Sequence, residues 1–337
     1  MQPAEALRRI AFLLEAEGAA PYKPQAFRRA ASTVDAIAPA ELARLSAGRR
    51  LETLTGVRAT TATVITEALA GSVPGYLAVL EERQPPVPPG PIQDLMAALR
   101  GDCHSHSDWS DGGTPIDEMA TSAAQIGRSY LALTDHSPRL TVAHGLSADD
   151  LRRQVGIVAG LNRSLAPFRL LTGIEVDILD DGALDQDEDL LSRLDVVVAS
   201  VHSHLRMGSP EMTRRMVAAV QNPHVDVLGH CTGRMIKGRG RPPSEFDHEA
   251  VFAACAASGT AVEINSRPER RDPPLELLQA AASAGCRFCI NSDAHAPGQL
   301  SWLAFGCEQA VEAGIPAGSV VNTLQLDELL AWTAGHV

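Results

Sequence analysis

From residue 99 onward, short apolar and β-branched runs each lead directly into a histidine, aspartate or glutamate, and this pattern restricts the fold more than any other feature. Residues 130–134 lead to His136, 170–175 end in Glu175, and 196–201 lead to His202. Residues 225–228 lead to His230, and 288–291 to Asp293 and His295, while 261–264 form another run. An initial strand is expected just before His104 and His106. Ala/Leu-rich segments of helical length separate the runs, which predicts repeated β–α units around a mainly parallel sheet. About seven such units point to a barrel or near-barrel, in which every C-terminal strand end opens on one face. A doubly wound open sheet is the alternative, and no glycine-rich dinucleotide loop supports it.

On such a face, distant residues become one pocket. His104 and His106 stand two apart, so both imidazoles of an extended segment can reach one ion; Asp293 and His295 repeat the device. His104, His106, His136, His202, His230 and His295, with Asp111, Glu175 and Asp293, make nine donors of nitrogen and oxygen. That set suits Zn²⁺, Mn²⁺ or Fe²⁺ and exceeds the needs of one tetrahedral ion. Two or three ions are implied, with a carboxylate such as Glu175 bridging. A single histidine at a strand end is ordinarily a hydrogen-bonded surface residue, so the reading rests on joint occurrence. His144 and His204 are expected to line the pocket, and His224 and His248 to be structural.

Composition limits the classes of partner. The 337 residues carry a net charge of −12, which argues against a general nucleic-acid coat or a membrane-surface protein. The charge is uneven: residues 1–80 hold 9 Lys+Arg against 7 Asp+Glu, the remainder 20 against 34. Residues 1–82 read as a small all-α domain, with helices expected over 6–16, 23–37 and 60–69. Five prolines within 84–91 suggest a stiff linker, drawn over 83–98, before the main domain at 99–337. No apolar run is long enough for a bilayer and the start lacks a signal pattern, so a cytoplasmic protein is expected. Cys286 and Cys289 have the spacing of a redox or zinc pair, but Cys289 lies in an apolar run, and buried, inert thiols are the expectation.

Several motifs carry a family resemblance over about residues 99–330. Asp102-Cys-His-Ser-His-Ser-Asp-Trp-Ser-Asp111-Gly, Leu133-Thr-Asp-His136-Ser, Gly173-Ile-Glu175-Val-Asp and Ser200-Val-His202 are the first four. Gly229-His230-Cys-Thr-Gly-Arg234, Glu263-Ile-Asn265 and Asn291-Ser-Asp293-Ala-His295 complete them. Together they resemble the polymerase and histidinol phosphatase (PHP) domain, and most of all the PHP domain at the C-terminus of bacterial family X DNA polymerases. The resemblance implies a distorted seven-stranded (β/α) barrel with three divalent metal ions. It assigns His104, His106, Glu175 and Asp293 to one ion, Asp111, His136 and His295 to a second, and Glu175, His202 and His230 to a third. Cys231 stands where polymerase relatives carry proline. Residues 10–31 resemble the small DNA-end-binding domain of the same polymerases, and Leu54-Thr-Gly56-Val-Arg58 their helix-hairpin-helix, with Arg58 in place of a second glycine. The palm is missing from the pattern, so no nucleotide addition is expected.

The chemistry expected is metal-assisted hydrolysis of a phosphate ester by in-line attack of water. Arg234 is expected to clamp phosphate and His204 to protonate the leaving group, with 267–272 as a further rim contact. DNA, reached through residues 1–82 and cut as a 3′–5′ exonuclease or repair phosphodiesterase would cut it, is the favoured substrate. A small phosphorylated metabolite, hydrolysed as by a histidinol phosphatase, is the alternative. A non-catalytic DNA-binding scaffold ranks last, because the donor set is complete.

Overall fold

The computed structural model describes residues 1–84 and 89–335. Of the linker expected over 83–98, residues 85–88 lie outside the described residues, and Pro91–Ala98 is a helix rather than an extended spacer. Proline suits the first helical position, where its fixed φ is already helical and its missing N–H has no partner to lose. Leu95 and Leu99 then bury against the barrel helices. The chain divides into two compact units, residues 1–87 with 297–299 and residues 88–296 with 300–337.

The first unit is helical. Pro3–Ala16, Tyr22–Asp35, Pro39–Ala47, Ala59–Leu69 and Gly75–Glu82 bury a common core that includes Leu7, Ile10, Phe27, Leu42, Ile65 and Leu77. The sequence pattern shows the first two and the fourth of these; the others are too short for a clear period. Gly56 turns the chain with φ 80°, a left-handed value that a side chain would strain. Val57 is then buried, and Arg58 is extended immediately before Ala59–Leu69. The Arg58 amide donates to Thr61 Oγ1 at 2.9 Å, which caps that helix.

The second unit is built on seven parallel strands among the described residues. They are β1 Gly101–Asp102, β2 Tyr130–Leu133, β3 Arg169–Asp177, β4 Val196–Ser200, β5 Val227–Leu228, β6 Ala261–Asn265 and β7 Phe288–Asn291, paired in sequence order. Helices cover the outside, so the strands are buried on both faces and read as continuous apolar runs rather than alternating ones. Strand parity separates two zones inside. Tyr130, Ala132, Leu171, Val198, Ala261 and Cys289 form an apolar cluster closed off by Val321 and Leu329. Further along the same faces come Glu175, Glu263 and Asn291, toward the C-terminal ends.

Side chains close the seam between β7 and β1. Asn322 donates from Nδ2 to Gly101 O (3.0 Å) and Ile290 O (2.6 Å), and its Oδ1 accepts from the Ile290 amide at 3.1 Å. Asn291 Oδ1 accepts from the Cys103 amide at 3.1 Å, and Asp102 accepts from the Ser292 amide and hydroxyl. The His106 amide donates to Ala294 O at 2.8 Å, completing a near-closed barrel. Asn322→Ala would orphan three buried backbone groups at this seam. A loss of about 2–4 kcal/mol is expected in urea unfolding of the full chain; an unchanged midpoint would show that the seam does not depend on it.

Candidate metal centre

Glu175, near the end of β3, is fully buried and surrounded by imidazoles. Its Oε2 lies 2.9 Å from His136 Nδ1, 3.3 Å from His104 Nε2 and 3.5 Å from His106 Nε2. Its Oε1 lies 2.9 Å from His230 Nε2 and 3.2 Å from His202 Nε2. The five rings come from the ends of four different strands, because each strand end delivers its next residue to this one face. Asp111 Oδ1 sits 3.2 Å from His295 Nε2 and 3.4 Å from His136 Nε2. Asp293 Oδ1 is 3.5 Å from both His106 Nε2 and His295 Nδ1. Asp293 adopts φ 51°, a left-handed value that aspartate tolerates better than most residues. All nine expected donors thus converge.

Three groups of donors lie within 4.8 Å of one another: His106, Asp111, His136 and His295; His104, His106 and Glu175; and His136, Glu175 and His202. These overlap at His106 and His136, whereas the family pattern keeps each of those rings with one ion. Electrostatics fits a cation here. Burial opposes a charged Glu175, yet His104, His202 and His136 outweigh it and hold the carboxyl well below the usual range. Burial, with His295 and His136 alongside, pushes His106 down to about 3, so its ring is neutral and offers a lone pair. His104 Nε2 and both His106 ring nitrogens are buried without a hydrogen bond of their own. Orphaned imidazole nitrogens beside a buried carboxylate are what a divalent ion would satisfy.

A surrounding layer fixes these rings; sequence reasoning gave Glu263, Asn291, Asp135 and Gln154 no role in it and read Arg267 and Arg270 only as rim contacts. Glu263 on β6 accepts from His104 Nδ1 at 2.7 Å, the His230 amide at 2.6 Å and Asn291 Nδ2 at 2.9 Å. Asp135 accepts from the Ser107 amide (2.8 Å) and Gln154 Nε2 (2.7 Å), tying the loop that carries Asp111. Arg267 Nη1 lies 2.8 Å from His295 Nδ1, and Arg270 Nε 3.6 Å from Asp293 Oδ2. The available signal was position: Glu263 and Asp135 are acidic residues at strand ends, each inside one of the seven family motifs.

Two rim residues differ from expectation or gain detail. The Arg234 guanidinium, expected to clamp phosphate, donates to the Arg270 and Arg271 carbonyls and so holds a loop instead. The tight 266–272 turn supplies the reason, since it leaves these carbonyl oxygens in need of side-chain donors; Gln309 Nε2 also serves Arg271 O, at 3.0 Å. His204 is exposed, with Nδ1 2.8 Å from Asp180 Oδ2 and φ 49°. Cys231 is buried beside His230, and burial raises its thiol well above the ordinary value, so it stays protonated. All six cysteines are free and buried.

A parallel β/α barrel with histidine and carboxylate donors gathered at its strand ends has the donor set of a divalent-metal centre. Residues 102–267 match the PHP domain model, and the chain carries a PHP domain, the mark of a metal-dependent phosphoesterase. It is 38% identical over 237 residues to the DNA polymerase/3′-5′ exonuclease PolX of Bacillus subtilis (strain 168), an alignment covering 70% of this chain and 41% of that protein. The chain therefore spans about two fifths of that relative's length. A probable phosphatase of Thermoanaerobacter sp. (strain X514) is 29% identical, over 66% of this chain and 89% of its own. Among solved structures, the histidinol phosphate phosphatase of Lactococcus lactis subsp. lactis Il1403, complexed with zinc, L-histidinol and phosphate, is similar at 17% identity. That similarity covers 65% of this chain and 95% of the other, with a TM-score of 0.46.

Glu263→Gln should weaken divalent-metal affinity roughly 10–100-fold through misoriented His104, measured by chelator competition; wild-type affinity would remove Glu263 from the centre's support. Stripping metal should lower the melting temperature. Returning it at a hundredfold excess over its Kd should restore about 2.7 kcal/mol, and a melting curve indifferent to metal would mean that no ion binds the folded chain.

Proposed function

We propose that the protein is a phosphoesterase with three divalent ions that cuts DNA, as a 3′–5′ exonuclease or a repair phosphodiesterase. The observation that carries the reading is Glu175 with five imidazoles on its two oxygens, a donor set that suits Zn²⁺, Mn²⁺ or Fe²⁺. The nine converging donors are its proposed ligands: His104, His106, Asp111, His136, Glu175, His202, His230, Asp293 and His295. When bound, such ions supply Lewis acidity toward a phosphoryl oxygen and lower the pKa of water.

The chain's own residues do the positioning. Glu263 fixes the tautomer of His104 by holding its Nδ1, which leaves Nε2 free to donate its lone pair. Arg267 and Arg270 beside Asp293 keep that carboxylate ionised and add positive charge where a phosphate would sit. In its imidazolium form His204, with its Nδ1 proton held by Asp180, would pass its Nε2 proton to the leaving oxygen.

DNA is favoured because the family X relative that aligns over 70% of this chain is named as a polymerase and 3′-5′ exonuclease. The turn at Gly56 and the capped helix after Arg58 fit an end-binding hairpin, with residues 1–82 as the recruiting domain and 99–337 as the catalytic one. Free thiols fit a reducing cytoplasm. A small phosphomonoester is the second reading, favoured by the probable phosphatase that this chain matches over 89% of that protein's length.

Protein loaded with Mn²⁺ or Zn²⁺ should release nucleotides from 3′-labelled DNA. His104→Ala should lose roughly 100-fold or more of that rate. Turnover confined to small monoesters would reject the nuclease reading, and unchanged DNA turnover after deleting residues 1–82 would reject the recruiting role.

A further inference from the structure

A groove of 630 Å³ runs between the loop after β4 and the loop after β5. That volume lies inside the roughly 300–1,000 Å³ range of small-molecule sites. Leu205, Met207, Pro242 and Pro243 give it apolar lining, Arg206 and Arg241 give it two cations, and Glu245 adds one carboxylate. One hydrogen bond ties its two sides together and two more brace the loop after β5. Ser244 Oγ donates to Leu205 O at 2.9 Å, the Ser244 amide to Thr232 O at 2.7 Å, and Arg241 Nε to Gly233 O at 2.6 Å. The groove lies on the metal centre's face of the barrel, since its loops begin after His202 and His230; His204, two residues beyond His202, also lines it.

Charge on this face is uneven, although Asp180 reaches the groove's edge at His204. Residues 234–241 hold Arg234, Lys237, Arg239 and Arg241 with no acid, whereas residues 177–189 hold seven acids with no Lys or Arg. A polyanion crossing the face is repelled by the loop after β3 and drawn to the β4–β5 side. Arg206 is exposed and has no ion-pair partner among the described residues. A phosphate alone needs only the centre and its flanking arginines. The apolar lining offers dispersion contact to the face of a base, and the cations offer a partner to a further phosphate.

We propose that this groove seats the nucleotide on the leaving-group side of the scissile phosphate, its base against Leu205, Met207 and the two prolines, its far phosphate near Arg206 and Arg241. This subsite rests on the nucleic-acid reading above and specifies where the strand lies.

The test uses full-length, metal-loaded protein and two substrates, a single-stranded oligonucleotide and bis(p-nitrophenyl) phosphate, across a salt series. In Arg206→Glu the ratio of the two kcat/KM values should fall about tenfold. The log–log salt slope for the oligonucleotide should become shallower by about 1 or more, and Arg206→Lys should keep most of both. Met207→Glu should lower the ratio as well, through the base rather than the phosphate. A ratio and slope equal to wild type in Arg206→Glu and Met207→Glu, with the oligonucleotide still cleaved, would overturn the subsite alone. Wild-type protein that hydrolyses the small diester but no oligonucleotide would overturn the nucleic-acid reading and the subsite with it.

Discussion

A carboxylate fully removed from water stays ionised only if positive or proton-donating partners surround it, and Glu175 imposes that demand on the whole second unit. Its two oxygens are reached by five imidazoles that are far apart in sequence. Only a structure whose strand ends meet at one place can bring them there, and a barrel of parallel strands does so without distortion. The residues behind the rings answer the same demand. Each imidazole must present a particular nitrogen inward, so Glu263 holds the other nitrogen of His104, and Asp177 lies 3.3 Å from that of His202. The polar zone is thus two layers thick, with apolar packing beneath it.

Much of this arrangement is legible in the chain because parallel strands covered on both faces are short, apolar and β-branched, and the chemical residues come directly after them. Runs at 130, 170, 196, 261 and 288 reappear as β2, β3, β4, β6 and β7 within a residue or two, except that β3 extends to Asp177. β1 and β5 have two residues each; the run at 225–228 marks β5, whereas only His104 and His106 just beyond it mark β1. The convergence of the nine donors was readable for the same reason. Glu263 and Asp135 were not assigned roles, because an acid at a strand end looks the same whether it faces an ion or an imidazole.

Other features escaped because their causes are tertiary. Nothing local marks Asn322 as a seam residue: it lies in a short 3-10 turn, and its partners are Gly101 and Ile290. The helix at Pro91–Ala98 was hidden by the prolines before it, although proline at its first position is a helix-starting residue. Arg234 reads as a free cation in a glycine-rich loop, and only the fold reveals the carbonyls it serves. His204 shows the converse. Its pairing with Asp180 joins two loops separated by a whole β–α unit, so a weak sequence suggestion becomes a histidine with one nitrogen already held.

The seam between β7 and β1 lies directly beneath the donors. His104 and His106 come after β1, while Asp293 and His295 come after β7, so His106 Nε2 and Asp293 Oδ1, 3.5 Å apart, face each other across the seam that side chains close. An ion gripped by His106 and Asp293 would act as a clasp across it. Such an ion would reinforce a seam that Asn322, Asn291 and Asp102 already close, adding its grip to theirs.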